Sequence, residues 1–270
     1  MLRDITLGQY YQAESVIHKL DPRVKLSGTL VYIISLFCVK GIAGLAVATA
    51  FLFLVIKISK VPFRFMIKGL RTILILMLIT GAFNLFLTPG EPLVRFWIFK
   101  ITAEGIKNAL IMIIRLSYLI LGTSIMTLTT TPNQLTDGME KALMPLSKIG
   151  VPVHAVAMMM SIALRFIPIL IEETDKIMKA QMARGADFES GNLLKRVKNM
   201  IPLLVPLFIS AFRRADDLAM AMEARCYHGG SGRTKMKPLH YEKRDKVSYL
   251  FLLVYFAVII LCRIRLPWPQ

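Results

Sequence analysis

Apolar residues fill this chain in long blocks separated by short charged stretches, a spacing suited to a bilayer rather than to water. After Lys25 an apolar run extends over 26–39, and a second, 42–56, follows across a break at Lys40 and Gly41. Together they predict a tight helical hairpin. A third run, 70–87, stops at the breaker cluster Thr88, Pro89, Gly90, Glu91 and Pro92. A fourth, 106–128, contains Arg115, and a fifth, 247–262, comes near the C-terminus. A helix needs about 20 apolar residues to cross the hydrocarbon core. The expected fold is therefore all-α: a polytopic membrane protein with about five transmembrane helices.

Between the fourth and fifth runs the pattern changes. Residues 130–246 hold apolar stretches broken by charge or proline: His154, Arg165 and Pro168 in one, Pro202 and Pro206 in another. Each passes into a charged, helix-forming end, Glu172, Glu173, Asp175 and Lys176 in the first, Arg213, Arg214, Asp216 and Asp217 in the second. Before both, Leu135, Met139, Leu143 and Leu146 form a rough helical stripe. These stretches predict long amphipathic helices partly seated in the membrane interface; the alternative is two further spans. The chain thus divides into 1–129 with four transmembrane helices, a long region at 130–246, and a last transmembrane helix at 247–270.

Charge sets the orientation. The 270 residues are 55% hydrophobic yet carry 34 Lys and Arg against 17 Asp and Glu, a formal net charge of +17. Lys19, Arg23 and Lys25 precede the first run, and Lys57, Lys60, Arg64, Lys68 and Arg71 follow the second. The positive-inside bias places the N-terminus and the 57–71 loop in the cytoplasm. Counting runs then puts 130–246 on the cytoplasmic side of a cell membrane, with Arg263 and Arg265 as a mild countercurrent. A nucleic-acid partner would need a soluble basic face, for which the apolar runs leave little room.

Little in the chain points to chemistry. Cys38, Cys226 and Cys262 lie far apart, and four histidines are scattered, so neither a disulfide framework nor a metal centre is expected. No cleavable signal peptide is expected, because Asp4, Glu14 and Asp21 interrupt the polar first residues. No HExxH, no GxS elbow in a span and no GxxxxGK[ST] phosphate loop occurs. The reading is a non-catalytic protein without cofactors, in which any ATP is hydrolysed by a partner. Arg115 and Asn84 are the polar groups deep in runs, too few to favour a self-contained secondary transporter or channel, the alternative function.

The two charged ends resemble each other. From Asp175 the chain reads DKIMKAQMARGADF, and from Asp216 it reads DDLAMAMEARCYHG. An acid stands nine residues before an arginine in both, Asp175 before Arg184 and Asp216 before Arg225. Ala183 and Ala224 precede those arginines, and Gly185 and Gly229 with Gly230 follow as stop signals. A C-terminal arginine sits well against the negative end of a helix dipole, worth about 0.3–1 kcal/mol, and that alone explains one such end. Two in register suggest more: the small residues Ala183, Gly185, Ala224 and Cys226 leave each guanidinium fork free to enter a pocket on a partner.

At these residues the sequence resembles the transmembrane coupling component, or T component, of energy-coupling factor (ECF) transporters. The likeness is carried by the N-terminal segment LGQYYQAESVIHKLDPRVKL, with Ser15, His18, Asp21, Pro22, Arg23 and Lys25. It continues through Arg165, Phe166, Ile167 and Pro168 to the two Ala–Arg motifs. It implies a subunit that joins two ABC-type ATPases to a small substrate-binding membrane subunit for vitamins or related micronutrients. By that resemblance Ala183, Arg184 and Gly185 would dock on one ATPase and Ala224, Arg225 and Cys226 on the other. Cys226 departs from the more usual glycine, which would suit a heterodimeric ATPase pair with unlike grooves. The methionines Met158, Met159 and Met160 are expected to hold the substrate-binding subunit, lipid or core contact being the alternative.

Overall fold

A computed structural model describes residues 10–39, 41–88, 92–96, 99–188, 193–229, 236 and 238–265. Several residues read above (7–9, Lys40, Pro89, Gly90, Glu91 and Gly230) lie outside the described residues. In chain order the elements are α1 (Pro22–Cys38), α2 (Ile42–Ser59), α3 (Phe63–Leu87), β1 (Pro92–Phe96), β2 (Phe99–Thr102), α4 (Ala103–Thr129), α5 (Pro132–Leu143), α6 (Val153–Ala183), α7 (Leu193–Glu223) and α8 (Lys243–Arg265). A short 3-10 helix, Met144–Ile149, follows α5. The chain forms two compact units, one of Gly8–Gly138 with Leu239–Gln270 and one containing Met139–Pro238.

The first unit is a helical bundle in which α1 packs on α8 and α4, α2 on the same two, and α3 on α4. Its core gathers Tyr32, Leu36, Leu52, Met66, Leu121, Ile125, Tyr255 and Ile259. Phe51 stacks on Tyr255 with ring centroids 3.9 Å apart. The tyrosine hydroxyls stay satisfied within this apolar setting: Tyr255 shares a 2.7 Å bond with the Ser35 hydroxyl, and Tyr32 donates to the Tyr118 carbonyl. Gly122 sits flat against the Tyr32 ring, where a Cβ would come within 2.2 Å of Cε1. No other residue fits there.

The outside of the bundle is greasy. Ile75 is 70% exposed and Phe83 60%, and Leu74, Leu76, Leu78 and Ile79 are exposed beside them on α3. Such a patch on a soluble protein would aggregate; in a bilayer it meets acyl chains. Among the described residues α2, α4, α6 and α8 are long and apolar enough to cross a membrane. A fifth crossing is available if α3 counts as one span despite a 59° bend between Phe63–Arg71 and Ile73–Phe86.

The membership of that set differs from the expected one. The run at 26–39 forms α1, which at 17 residues reaches only about 25 Å, short of a hydrocarbon core of ~30 Å. The apolar part of α6 qualifies instead. The shortness of α1 explains Arg115. Its Nη2 donates to the Val39 carbonyl at 3.0 Å, capping the C-terminal end of α1 where no further turn exists to do so. Between α3 and α4 lies the antiparallel hairpin of β1 and β2, with Val94 opposite Ile101 and Phe96 opposite Phe99. The alternation of LVRF and FKIT carried that signal.

The second unit is dominated by α6 and α7, each of 31 residues and so about 46 Å long. They run in opposite senses where they meet. The Arg214 Nη2 donates to Glu173 at 3.3 Å, the Gln181 amide donates to the Pro202 carbonyl, and Asn199 donates to the Asp187 carbonyl at 2.7 Å. Pro168, Pro202 and Pro206 stand inside these helices. The carboxylate that braces Arg214 is thus Glu173.

Candidate functional site

The two small–Arg–small motifs close their helices in the same way. Helix α6 ends at Ala183, and Arg184 takes the cap position. Gly185 then turns left-handed with φ +86°, its N–H donating to the Met182 carbonyl and that of Ala186 to the Gln181 carbonyl, both at 3.0 Å. Helix α7 ends at Glu223. Cys226 turns left-handed with φ +54°, its N–H donating to the Glu223 carbonyl at 2.8 Å and that of Tyr227 to the Met222 carbonyl at 3.0 Å. Residue for residue these are one motif: the last carbonyls are satisfied by a chain that doubles back. Glycine adopts the left-handed turn freely, whereas cysteine in the same place costs about 1–2 kcal/mol. The departure at Cys226 is therefore a conformational cost accepted without change of shape.

Ala183, Arg184, Gly185, Ala224, Arg225 and Cys226 are all exposed. Neither Arg184 nor Arg225 is ion-paired among the described residues. Glu173 and Arg184 are eleven residues apart, as are Arg214 and Arg225. The Glu173–Arg214 ion pair therefore sits about 16 Å from each tip along its own helix. Because α6 and α7 run oppositely, the tips point away from that crossing in opposite directions.

Met159 is 58% exposed and Met160 48%, while Met158 is half-buried. The same unit carries a larger apolar surface, in a stretch expected to sit partly in the membrane interface. On α7, Val197, Ile201, Leu204, Phe208 and Phe212 recur at helical spacing and all are exposed, Phe212 by 68%. Spacings of three and four residues put them on one stripe. Among the described residues no group of three or more His, Cys, Asp or Glu could hold a metal ion. His154 instead pairs with Glu140 at 2.9 Å.

The motif residues of the N-terminal segment do something different: they build a buried polar joint inside the first unit. Asp21 caps α1, accepting from the Arg23 N–H at 2.9 Å, with Pro22 in the first helical position. The same carboxylate takes the Arg23 guanidinium in a two-pronged pair at 3.1 and 3.0 Å. Asp245, in the first turn of α8, accepts from the Glu242 N–H at 2.8 Å and with its other oxygen from the Asp21 N–H at 3.0 Å. Two helix N-termini are thereby stitched together by two buried aspartates, each favoured by the positive end of a helix dipole.

Lys25 and His18 complete the joint. The Lys25 ammonium donates to the His18 carbonyl at 3.1 Å and the Thr129 carbonyl at 2.8 Å, tying α1 to the end of α4. Burial pushes its pKa down to about 8, with Asp21 and Asp245 opposing the shift. His18 lies between Ser15 at 2.7 Å and the Tyr11 carbonyl at 3.0 Å. Because a carbonyl only accepts, Nε2 carries the proton and Nδ1 accepts from Ser15. Burial, aided by Lys25, keeps its pKa below the ordinary value, so the ring is neutral.

A profile described as cobalt transport protein (CbiQ) matches residues 13–236. The chain is 56% identical over 266 residues to the energy-coupling factor transporter transmembrane protein EcfT of Clostridium kluyveri, covering 98% of each chain. It is 49% identical over 267 residues to the protein of the same name from Acidaminococcus fermentans, covering 99% of this chain and all of the relative. Over 264 residues it is 45% identical to that of Bacillus subtilis, covering 97% of this chain and again all of the relative.

Proposed function

Since the chain belongs to the family of ECF transporter transmembrane proteins, within the wider cobalt transport protein (CbiQ) group, we propose that it converts ATP binding by two ABC-type ATPases into movement of a separate substrate-binding membrane subunit. The observation that carries this reading is the pair of matched tips. Each offers an exposed arginine, without an ion pair among the described residues, on a slender cap, and the two point in opposite directions from a shared crossing. One tip serves one ATPase, Arg184 the first and Arg225 the second. Grooves on a heterodimeric pair would each receive a guanidinium fork able to make two hydrogen bonds at once.

Transmission follows from the same geometry. When ATP draws the two ATPases together, the tips are drawn with them, and α6 and α7 pivot about the Glu173–Arg214 contact. The displacement is carried along stiff helices to the apolar surfaces of Met159, Met160 and the Val197 to Phe212 stripe. There a small membrane subunit that binds a vitamin or related micronutrient is held and reoriented. Force is transmitted because the contacts differ between ATP-bound and ATP-free states. The chain itself contributes no catalytic group; ATP hydrolysis belongs to the partners. Its N-terminus and both tips face the cytoplasm, in keeping with the basic residues Arg23, Lys57 and Lys60.

The test is co-purification of ATPases with the wild type, Arg184→Glu, Arg225→Glu and the double variant, followed by ATP-driven uptake. Reversing the charge at a desolvated two-pronged site costs roughly 2–5 kcal/mol per tip. The double variant is expected to lose its ATPases while remaining folded in the membrane. Retention of ATPases and uptake by all three variants would reduce the tips to ordinary helix ends.

A further inference from the structure

The first unit contains a cavity of about 320 Å³ that the coupling function does not use. It lies between α1, α2, α4 and α8, and its walls are apolar: Val24, Phe51, Val55, Ile125, Met126 and Leu252 are among them. The polar exceptions include Lys25, Thr29, Thr129 and Ser248, and among the described residues that line it Lys25 is the only charge. Besides Val16, Ile17 and Leu20 before α1, the lining comes from 24–32 on α1, the last half of α2, the last half of α4 and the first half of α8. Those are the ends of the helices that carry the basic residues Arg23, Lys57, Lys60, Lys243 and Lys246. The cavity therefore occupies the half of the bundle next to the more basic membrane face.

Lys25 is unusual in its partners. An ammonium has three donors. Two go to the His18 and Thr129 carbonyls, and among the described residues no carboxylate oxygen lies within ion-pair distance. Asp21 and Asp245, the nearest acids, are occupied by Arg23 and by the N-termini of α1 and α8. Next to this incompletely neutralised cation lies a space that suits hydrocarbon. A protein helix does not fit: at about 10 Å across, it would fill 320 Å³ with less than one turn. A flexible acyl chain does.

We propose that this cavity binds the acyl chain of an anionic amphiphile whose carboxylate or phosphate headgroup is held at Lys25 and the basic rim. Occupancy would complete the wall between the four helices and tighten the polar joint that fastens α1 to α8.

The experiment uses the full chain in nanodiscs of phosphatidylcholine, with four photoreactive probes bearing a diazirine on the acyl chain: palmitate, its methyl ester, phosphatidylglycerol and phosphatidylcholine. Labelled peptides are mapped by mass spectrometry. Labelling by an anionic probe should concentrate on the cavity-lining peptides of α1, α2, α4 and α8 and disappear in Val55→Trp, which fills the space. Loss of a charged hydrogen bond predicts about a tenfold drop for the neutral ester relative to palmitate, a comparison made on the wild type and so independent of any variant's folding. Stronger labelling by phosphatidylglycerol identifies a phospholipid, and stronger labelling by palmitate a free fatty acid. Equal labelling by charged and neutral probes, or labelling spread over exposed α3 as heavily as over the cavity, would mean surrounding lipid only and overturn the proposal. So would replacement of cavity labelling by cross-links to a protein partner when the transporter is assembled.

Discussion

The two units handle their charged motifs in opposite ways. In the first, Asp21, Arg23, Lys25 and Asp245 face one another in a buried joint, and nearly every donor and acceptor finds its match within the chain. In the second, Arg184 and Arg225 stand exposed on helix caps whose backbone is satisfied without them. Both sets look alike in sequence: short motifs of Asp, Arg, Lys and small residues. Their environments separate them. A charge that the fold has already paired is there to hold elements together, whereas a charge displayed on a rigid cap and left unpaired is available to another molecule.

The sharpest way to break this contrast is steric. Leucine at Gly122 would drive its Cβ into the Tyr32 ring, so Gly122→Leu should abolish folded protein as judged by size-exclusion chromatography. Leucine at Gly185, where nothing lies within 4 Å, should leave the folded yield intact despite the strained turn.

Electrostatics gives the next largest difference. Asp245→Ala removes the acceptor of two backbone N–H groups and should cost about 3–5 kcal/mol, read as a fall in the thermal unfolding midpoint in detergent. Glu173→Ala breaks a partly exposed pair and should cost less than about 1 kcal/mol in the same assay. Equal effects would contradict the division between a sealed joint and an adjustable pivot.

Acidity should act on the buried joint of the first unit. The Lys25 pKa is lowered on folding to about 8, so between that value and its ordinary 10.5 the unfolded chain binds the extra proton, and stability rises with pH across the window. For His18, also lowered, stability falls as pH drops below the ordinary value of 6.5. Each slope is at most about 1.4 kcal/mol per pH unit. Unfolding midpoints measured from pH 5 to 10 should show both, and Lys25→Met should erase the alkaline limb.

The smallest expected effect is at the second tip. Cys226→Gly relieves the left-handed strain and should slow hydrogen exchange of the Tyr227 amide by about fivefold, corresponding to about 1 kcal/mol. Gly185→Ala should speed exchange at the Ala186 amide by a similar factor.

Much of this was legible from residue order. The runs at 42–56, 106–128 and 247–262 became α2, α4 and α8 because an apolar helix in a bilayer satisfies its own backbone and needs no distant partner to exist. The repeat around Arg184 and Arg225 was legible for the same reason, since a cap is built from hydrogen bonds between close neighbours. The hairpin at β1 and β2 was missed because strands need each other, and a short alternating stretch beside breakers reads equally well as loop.

What the sequence determined by itself, then, is whatever neighbours along the chain can decide: the helices, their basic ends, and the two matched caps. What only the tertiary structure decided are the partnerships across it. Arg115 found the Val39 carbonyl because α1 is short, Asp21 met Asp245 from more than two hundred residues away, and Glu173 took Arg214 from the facing helix. A charge in the chain announces that it needs a partner; which partner it gets depends on distances that folding alone sets.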